Sequence, residues 1–340
     1  MYPLDQGMWG PTVRISRLRD ELARLVRLDV VSGDRGERRQ ALVRYALSGR
    51  LRGLAGIYVE NSSRLPTETD LAFLALARLL RIGVLTYVRD AQYLFEEYFA
   101  ATSLKRRLAR AAFLPAIRLL RAVSTRVAYP SRGLAAAVHD RSPEPMLLPP
   151  GSPDPVDVPR ASDARDLLFV GHMRYPVHGL DLLVGAVERV RRAAGHQVGV
   201  ICLSRPGEEP PEPRPDWMRV ERGGAHEIRR LLPGVIATIQ PRRRSPYNDL
   251  AVPVKVLEYL AYGRPLIVTD CVEQAAIVRD AGAGVVAAAT PDALAAAIVE
   301  VVEAPAPQIE QWSANATAAA RAGAWSVRAR TVVSTLESLR

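Results

Sequence analysis

Two cysteines, Cys202 and Cys271, are too few to frame a disulfide-stapled fold, and no cluster of Cys and His has metal-ligand spacing. The five histidines are dispersed. No apolar run reaches the roughly 18–20 residues that spanning a bilayer needs. The opening MYPLDQGMWG lacks the basic, apolar and cleavage regions of a signal peptide. These absences predict a cytoplasmic protein with no metal or cofactor. Lysine is nearly missing too: Lys105 and Lys255 are the only two among 46 basic residues. A lysine that persists where arginine is the default cation is a candidate for a specific role.

What is present is positive charge. A formal net charge of +10 and a pI near 10.0 favour polyanions, anionic lipid or phosphorylated ligands. The basic residues are scattered at helical spacing, and Arg242–Arg243–Arg244 is their longest run. Nucleic-acid readers more often carry a stripe of Lys and Arg interleaved with aromatics. The pattern therefore predicts no specific nucleic-acid partner and keeps a general polyanion binder only as a rival reading.

Short apolar runs alternate with amphipathic segments from end to end. LDVVSG, LAGIYVE, GVLTYVRD and TRVAYPS read as strands, and a second series follows with LLFVGH, HQVGVICL, GVIATIQP, RPLIVTD and AGVVAA. In the first helical pattern Ile15, Leu18, Leu22 and Leu25 share a face. Two such series predict an α/β protein of two Rossmann-like, doubly wound domains with a cleft between them. The Pro-, Asp- and Ser-rich stretch after Pro150 reads as the linker. The expected division is 1–150, a linker over 151–163, 164–322, and a terminal helix over 323–340 that returns to the first domain, anchored by Trp325. One oddity is the glycine loop DQGMWGPT, which begins after four residues including Pro3. Either the opening strand is stunted or the natural start lies upstream.

The stretch VPVKVLEYLAYGRPLIVTD, residues 252–270, concentrates the chemistry. Pro253 suits a first helical turn, and the pattern predicts a helix over 254–262 stopped by Gly263. Unpaired amides at its start favour phosphate, and Lys255 adds a mobile charge in that first turn. Glu258, one turn on, can accept both hydroxyls of a ribose. Read without its context, the same spacing also describes an amphipathic core helix with a solvated Lys and Glu.

This stretch resembles the donor-site signature P-x-K-x-x-E-Y-x-A-x-G-x-P of glycosyltransferase family 4 and its relatives. LLFVGHMRYPVHGLDLLVGAVERV, GVIATIQPRRRSPYNDL, RVAYPSRGLAAAV with LLPPG, and the opening GMWGPTVRISRLRDELARL are similar to further family segments, in order. The resemblance covers nearly the whole chain and implies the GT-B architecture. It also implies sugar transfer from a nucleotide-sugar donor to a hydroxyl acceptor, with retention and without a bound metal. It carries donor binding to Gly10, Lys255 and Glu258, the last two also assisting departure of the diphosphate. In the loop after the first strand of the second domain, Arg174 is the better candidate for the diphosphate than His172 or His178, because guanidinium is charged at any cellular pH. The first glutamate of the family's usual pair falls at Leu250, so Asn248 and Asp249 are the candidates to contact the transferred sugar.

In the first half, Asp90 follows a strand end, where it suits both an acceptor-orienting base and a helix cap. Asn61, Ser62 and Ser63 occupy another strand-end loop and suit an acceptor sugar or a turn. The basic amphipathic segment 103–121 fits either an anionic membrane surface on the inner face, near a glycan or lipid-linked acceptor, or an ordinary surface helix. Leu250 supports a rival reading, a catalytically silent nucleotide-sugar-binding subunit.

Overall fold

The computed structural model describes residues 2–3, 10–61, 65–173, 178–193 and 195–339. The chain forms two compact units, Met1–Gly151 with Trp325–Arg340, and Ser152–Ala324. Each is an α/β layer structure with parallel strands, the class that the alternating pattern predicts.

The first unit runs β1 (Tyr2–Pro3), α1 (Gly10–Leu25), β2 (Ser32–Gly33), α2 (Arg35–Leu47), β3 (Ile57–Asn61), α3 (Glu68–Leu79), β4 (Val84–Val88), α4 (Leu104–Ala122), β5 (Arg126–Tyr129), α5 (Arg132–Ala137) and β6 (Met146–Leu147). Strands β3 to β6 form a parallel sheet in that order, and β1 pairs with β2. The strand expected over 28–33 shrinks to the two residues of β2. Asp29 is drawn aside onto Tyr45 (2.7 Å) and Arg50 (2.9 Å), and the capping box of α2 begins at once at Asp34. Ile15, Leu18 and Leu22 of α1 are buried as the spacing predicts, whereas Leu25 in the last turn is exposed.

One buried polar network lies in this core. Arg14 donates through Nε to Glu60 (2.8 Å), Tyr58 donates to the same carboxylate (2.6 Å), and the guanidinium lies 3.8 Å over the Tyr87 ring. Burial opposes the Arg14 charge, and Glu60 with the two tyrosines more than offsets that, so its pKa rises.

The second unit runs β7 (Asp166–Val170), α6 (Leu180–Ala193), β8 (Gly199–Ser204), β9 (Met218–Arg222), α7 (Ala225–Leu231), β10 (Val235–Gln240), α8 (Pro246–Leu250), α9 (Val254–Leu260), β11 (Leu266–Thr269), α10 (Val272–Ala281), β12 (Gly284–Ala287), α11 (Pro291–Val302) and α12 (Ala306–Ala322). Its six parallel strands stand in the order β9-β8-β7-β10-β11-β12. Counted along the chain that is 3-2-1-4-5-6, the doubly wound order whose ligand crevice opens beyond the carboxyl ends of the strands at the switch point, here β7 and β10. Alternation along β7 feeds two cores. Leu167 and Phe169 join one with Leu183, Val187 and Ile298, while Leu168 and Val170 join the other with Val256, Leu260 and Val278.

The last helix, α13 (Trp325–Ser338), belongs to the first unit, where Trp325 is buried in a cluster with Leu18, Tyr87 and Leu148. Gly151 is required there, because a Cβ would lie 2.5 Å from the Trp325 ring.

Candidate active site

The crevice at the switch point is built by α9, the loop after β10 and the loop after β7. Helix α9 is seven residues long with Pro253 at its N-cap. It ends two residues earlier than the pattern predicts, because the last turn tightens through Ala261 N–H to Glu258 C=O and Tyr262 N–H to Tyr259 C=O, before Gly263 turns out at φ +59°. So short a helix has a weak dipole, which leaves side chains to carry most of any anion binding.

Lys255 and Glu258 are neighbours on this helix, and Lys255 Nζ lies 2.7 Å from Glu258 Oε2. The ammonium is 39% exposed and the carboxylate 19%. The two charges expected to meet a phosphate and a ribose thus satisfy one another here. An exposed pair of this kind is worth about 0.2–1 kcal/mol, less than the roughly 1.5–3 kcal/mol of a hydrogen bond to a charged group. A ligand that offers both partners better ones can therefore open it.

Tyr259, beside Glu258, fixes the helix in place. Its hydroxyl accepts the Val170 N–H (2.8 Å) and donates to the Val170 carbonyl (3.3 Å), so α9 is pinned to the end of β7. Burial raises the Tyr259 pKa strongly, which keeps the hydroxyl a donor. Sequence spacing identifies the tyrosine within the motif but not this role.

The loop after β10 holds the residue that sequence reasoning missed. Arg243 pairs with Asp181, and Arg244 pairs with Asp249 (2.6 Å) and Asp270 (3.2 Å). Arg242 differs from both. It is only 8% exposed, donates through Nη2 to the Asn248 side chain, and has no hydrogen-bond partner for Nε. Its backbone is locked, since Thr269 Oγ1 donates to the Arg242 carbonyl (2.5 Å) and Gln274 Nε2 donates in turn to Thr269 (2.8 Å). Gly179, ahead of α6, presses on the same loop: a Cβ there would overlap the Pro241 carbonyl at 1.6 Å. His178 adjoins them. Burial, then Arg242 and His172, push its pKa down to about 4, so it is neutral near pH 7.

The remaining candidates fall as follows. Asn248 is buried, its oxygen on Arg242 and its Nδ2 on the Arg243 carbonyl (2.8 Å), so its amide holds the loop together. Asp249 is ion-paired to Arg244. Leu250 is buried at the end of α8. Arg174 and Ser62 lie outside the described residues, as does Ser63. In the first unit Gly10 is the first residue of α1, and Asn61 is buried at the end of β3. Asp90 accepts the Gln92 N–H (3.0 Å) and opens one 3-10 turn, Gln92–Leu94, instead of the helix expected over 91–99. The aromatic side chains of that segment explain the difference, because Tyr93 stacks on Phe113 of α4 at 5.2 Å and contacts Phe99 at 4.3 Å. The structure brings Lys255, Glu258, Asn248 and Asp249 into the second unit, and Gly10, Asn61 and Asp90 into the first. Among the described residues no group of three or more His, Cys, Asp or Glu could hold a metal ion, and no helix is long and apolar enough to cross a membrane.

Residues 164–304 match the family described as Glycosyl transferases group 1. No curated protein matches the chain in sequence. Among solved structures, Alr3699/HepE of Anabaena in complex with UDP superposes with a TM-score of 0.66 at 14% identity, covering 99% of this chain and 98% of that one. A glycosyltransferase from Rickettsia africae gives 0.65 at 11% identity, with 99% and 97% covered. WaaG, a glycosyltransferase involved in lipopolysaccharide biosynthesis, gives 0.62 at 13%, with 98% of each chain covered.

Proposed function

We propose that this chain, which has the GT-B fold of glycosyltransferases and matches Glycosyl transferases group 1 over residues 164–304, moves a sugar from a nucleotide-sugar donor to a hydroxyl acceptor. The observation that carries the reading is α9. Its Lys255–Glu258 pair stands at the switch point of a 3-2-1-4-5-6 sheet, pinned by Tyr259 to the end of β7. That is where open α/β sheets bind nucleotides. The complexes of HepE with UDP and with UDP-glucose support a nucleoside-diphosphate sugar as the donor class.

On this reading Glu258 takes the ribose hydroxyls, and Lys255, released from it, meets the diphosphate. Charge that builds on the departing diphosphate is then stabilised by fixed cations, without a bound metal and with retention at the anomeric carbon. Asp90, at the carboxyl end of its strand in the first unit, orients the acceptor hydroxyl. The rival reading, a silent donor-binding subunit, rests on Leu250, which is buried and apolar where the resemblance places a glutamate.

Calorimetric titration with a panel of nucleotide sugars, followed by assays of transfer and donor hydrolysis, tests both. The expected result is binding of at least one donor, lost about ten- to a hundredfold in a folded Glu258→Ala variant. Binding that Glu258→Ala leaves unchanged would remove the assignment. Binding with neither transfer nor hydrolysis would leave the silent subunit.

A further inference from the structure

Arg242 is a buried cation without a counter-ion. Arg243 and Arg244, its neighbours in sequence, each hold an aspartate, and no carboxylate of the described residues pairs with Arg242. Nor does the undescribed segment 174–177, Arg-Tyr-Pro-Val, contain one. The nearby titratable group is His178, which its surroundings keep neutral. Leaving a guanidinium buried and unpaired costs several kcal/mol, so folds retain such a group where a ligand supplies the opposite charge.

The surroundings are built rather than accidental. Asn248 takes Nη2 and so fixes the orientation of the guanidinium fork. Thr269 and Gln274 hold the backbone that carries it, and Nε is buried with no acceptor among the described residues. The residue directly follows Pro241 at the carboxyl end of β10, one of the two strands that flank the switch point. Lys255, by contrast, already has its charge matched by Glu258.

We propose that Arg242 is one half of an ion pair whose other half is a phosphoryl group of the donor's diphosphate, with Nε–H donating to a phosphoryl oxygen. The proposal rests on the donor-binding reading above and adds to it the residue that anchors the anion. Asn248 is then a positioning residue, acting through Arg242 rather than on the sugar.

The test uses the full chain and inorganic pyrophosphate. Wild-type protein should bind pyrophosphate and gain thermal stability from it. Arg242→Gln should bind it about ten- to a hundredfold more weakly. Its own melting temperature, without ligand, should equal or exceed that of the wild type, because the substitution removes an uncompensated buried charge. Asn248→Ala should weaken pyrophosphate binding by a smaller factor. If Arg242→Gln binds pyrophosphate and nucleotide sugars as tightly as the wild type, this inference falls and the donor reading stands. If Arg242→Gln melts well below the wild type or loses its fold, the arginine is structural and the inference falls. If the wild type binds neither pyrophosphate nor any nucleotide sugar, both fall.

Discussion

His178 carries the clearest consequence of how side chains share the crevice. Its folded pKa of about 4 lies below the ordinary 6.5, chiefly through burial and then through Arg242 and His172. Between those two values the unfolded chain takes up a proton that the folded one refuses. Stability from this source is therefore full above pH 6.5, falls as the pH drops towards 4, and levels off below that. His178→Asn should flatten that part of the profile. Urea midpoints at pH 7 and pH 4.5, for wild type and variant, measure it, and an equal fall in both proteins would assign the acid sensitivity elsewhere. At this scale the sequence was only partly legible. Lys255 and Glu258 stand out by spacing in a chain with two lysines. Arg242 does not, because a run of three arginines reads as a solvated charge patch until tertiary structure gives two of them aspartates and buries the third.

Helix α4 has two apolar faces. At 100° per residue, Phe113, Ile117 and Leu120 cluster on one side, and all three are buried. Leu104, Leu108 and Leu119 fall within about 60° of each other on the opposite side, and they are 73%, 61% and 57% exposed. Lys105 flanks that second face on one side, with Arg107 and Arg118 on the other. An exposed leucine stripe with basic flanks is the geometry of a helix that lies on an anionic surface. Sedimentation with vesicles should show binding that rises with anionic lipid, falls with salt and drops severalfold in Leu108→Glu. No binding at low salt would return α4 to an ordinary surface helix. Which elements the sequence reveals follows the same logic of burial. Strands β7, β8, β10 and β11, buried on both faces, announce themselves as apolar runs. Strand β9, at the sheet edge, carries Arg219, Glu221 and Arg222, and those charges hide it. The turn after Asp90 escaped for another reason: side chains of a helix-like pattern were claimed by an aromatic cluster.

The two units differ in how the chain supplies them. Ser152–Ala324 is one continuous segment of ordinary domain size, with both its cores and the whole Lys255–Glu258 and Arg242 constellation inside it. Its last described link is local: Ser152 pairs with Ala324, and Ser152 N–H donates to the Gly323 carbonyl (2.9 Å), so the segment's two ends meet. The other unit is discontinuous, and its core depends on Trp325, Ala329 and Val332 of α13 packing with Leu18, Leu22 and Tyr87 of the first segment. A fragment of residues 152–324 should therefore fold alone, with cooperative urea unfolding, and should keep most of the pyrophosphate affinity of the full chain. A fragment of residues 1–151 should not fold, since removing α13 uncovers Leu18, Leu22 and Tyr87 at once and leaves Arg14 without the Trp325 ring 5.9 Å away. Adding α13 as a separate peptide should restore part of its structure. Circular dichroism and urea titration of the two fragments decide the matter. A 152–324 fragment that stays unfolded, or one that folds without binding pyrophosphate, would mean that the anion site needs residues beyond its own unit.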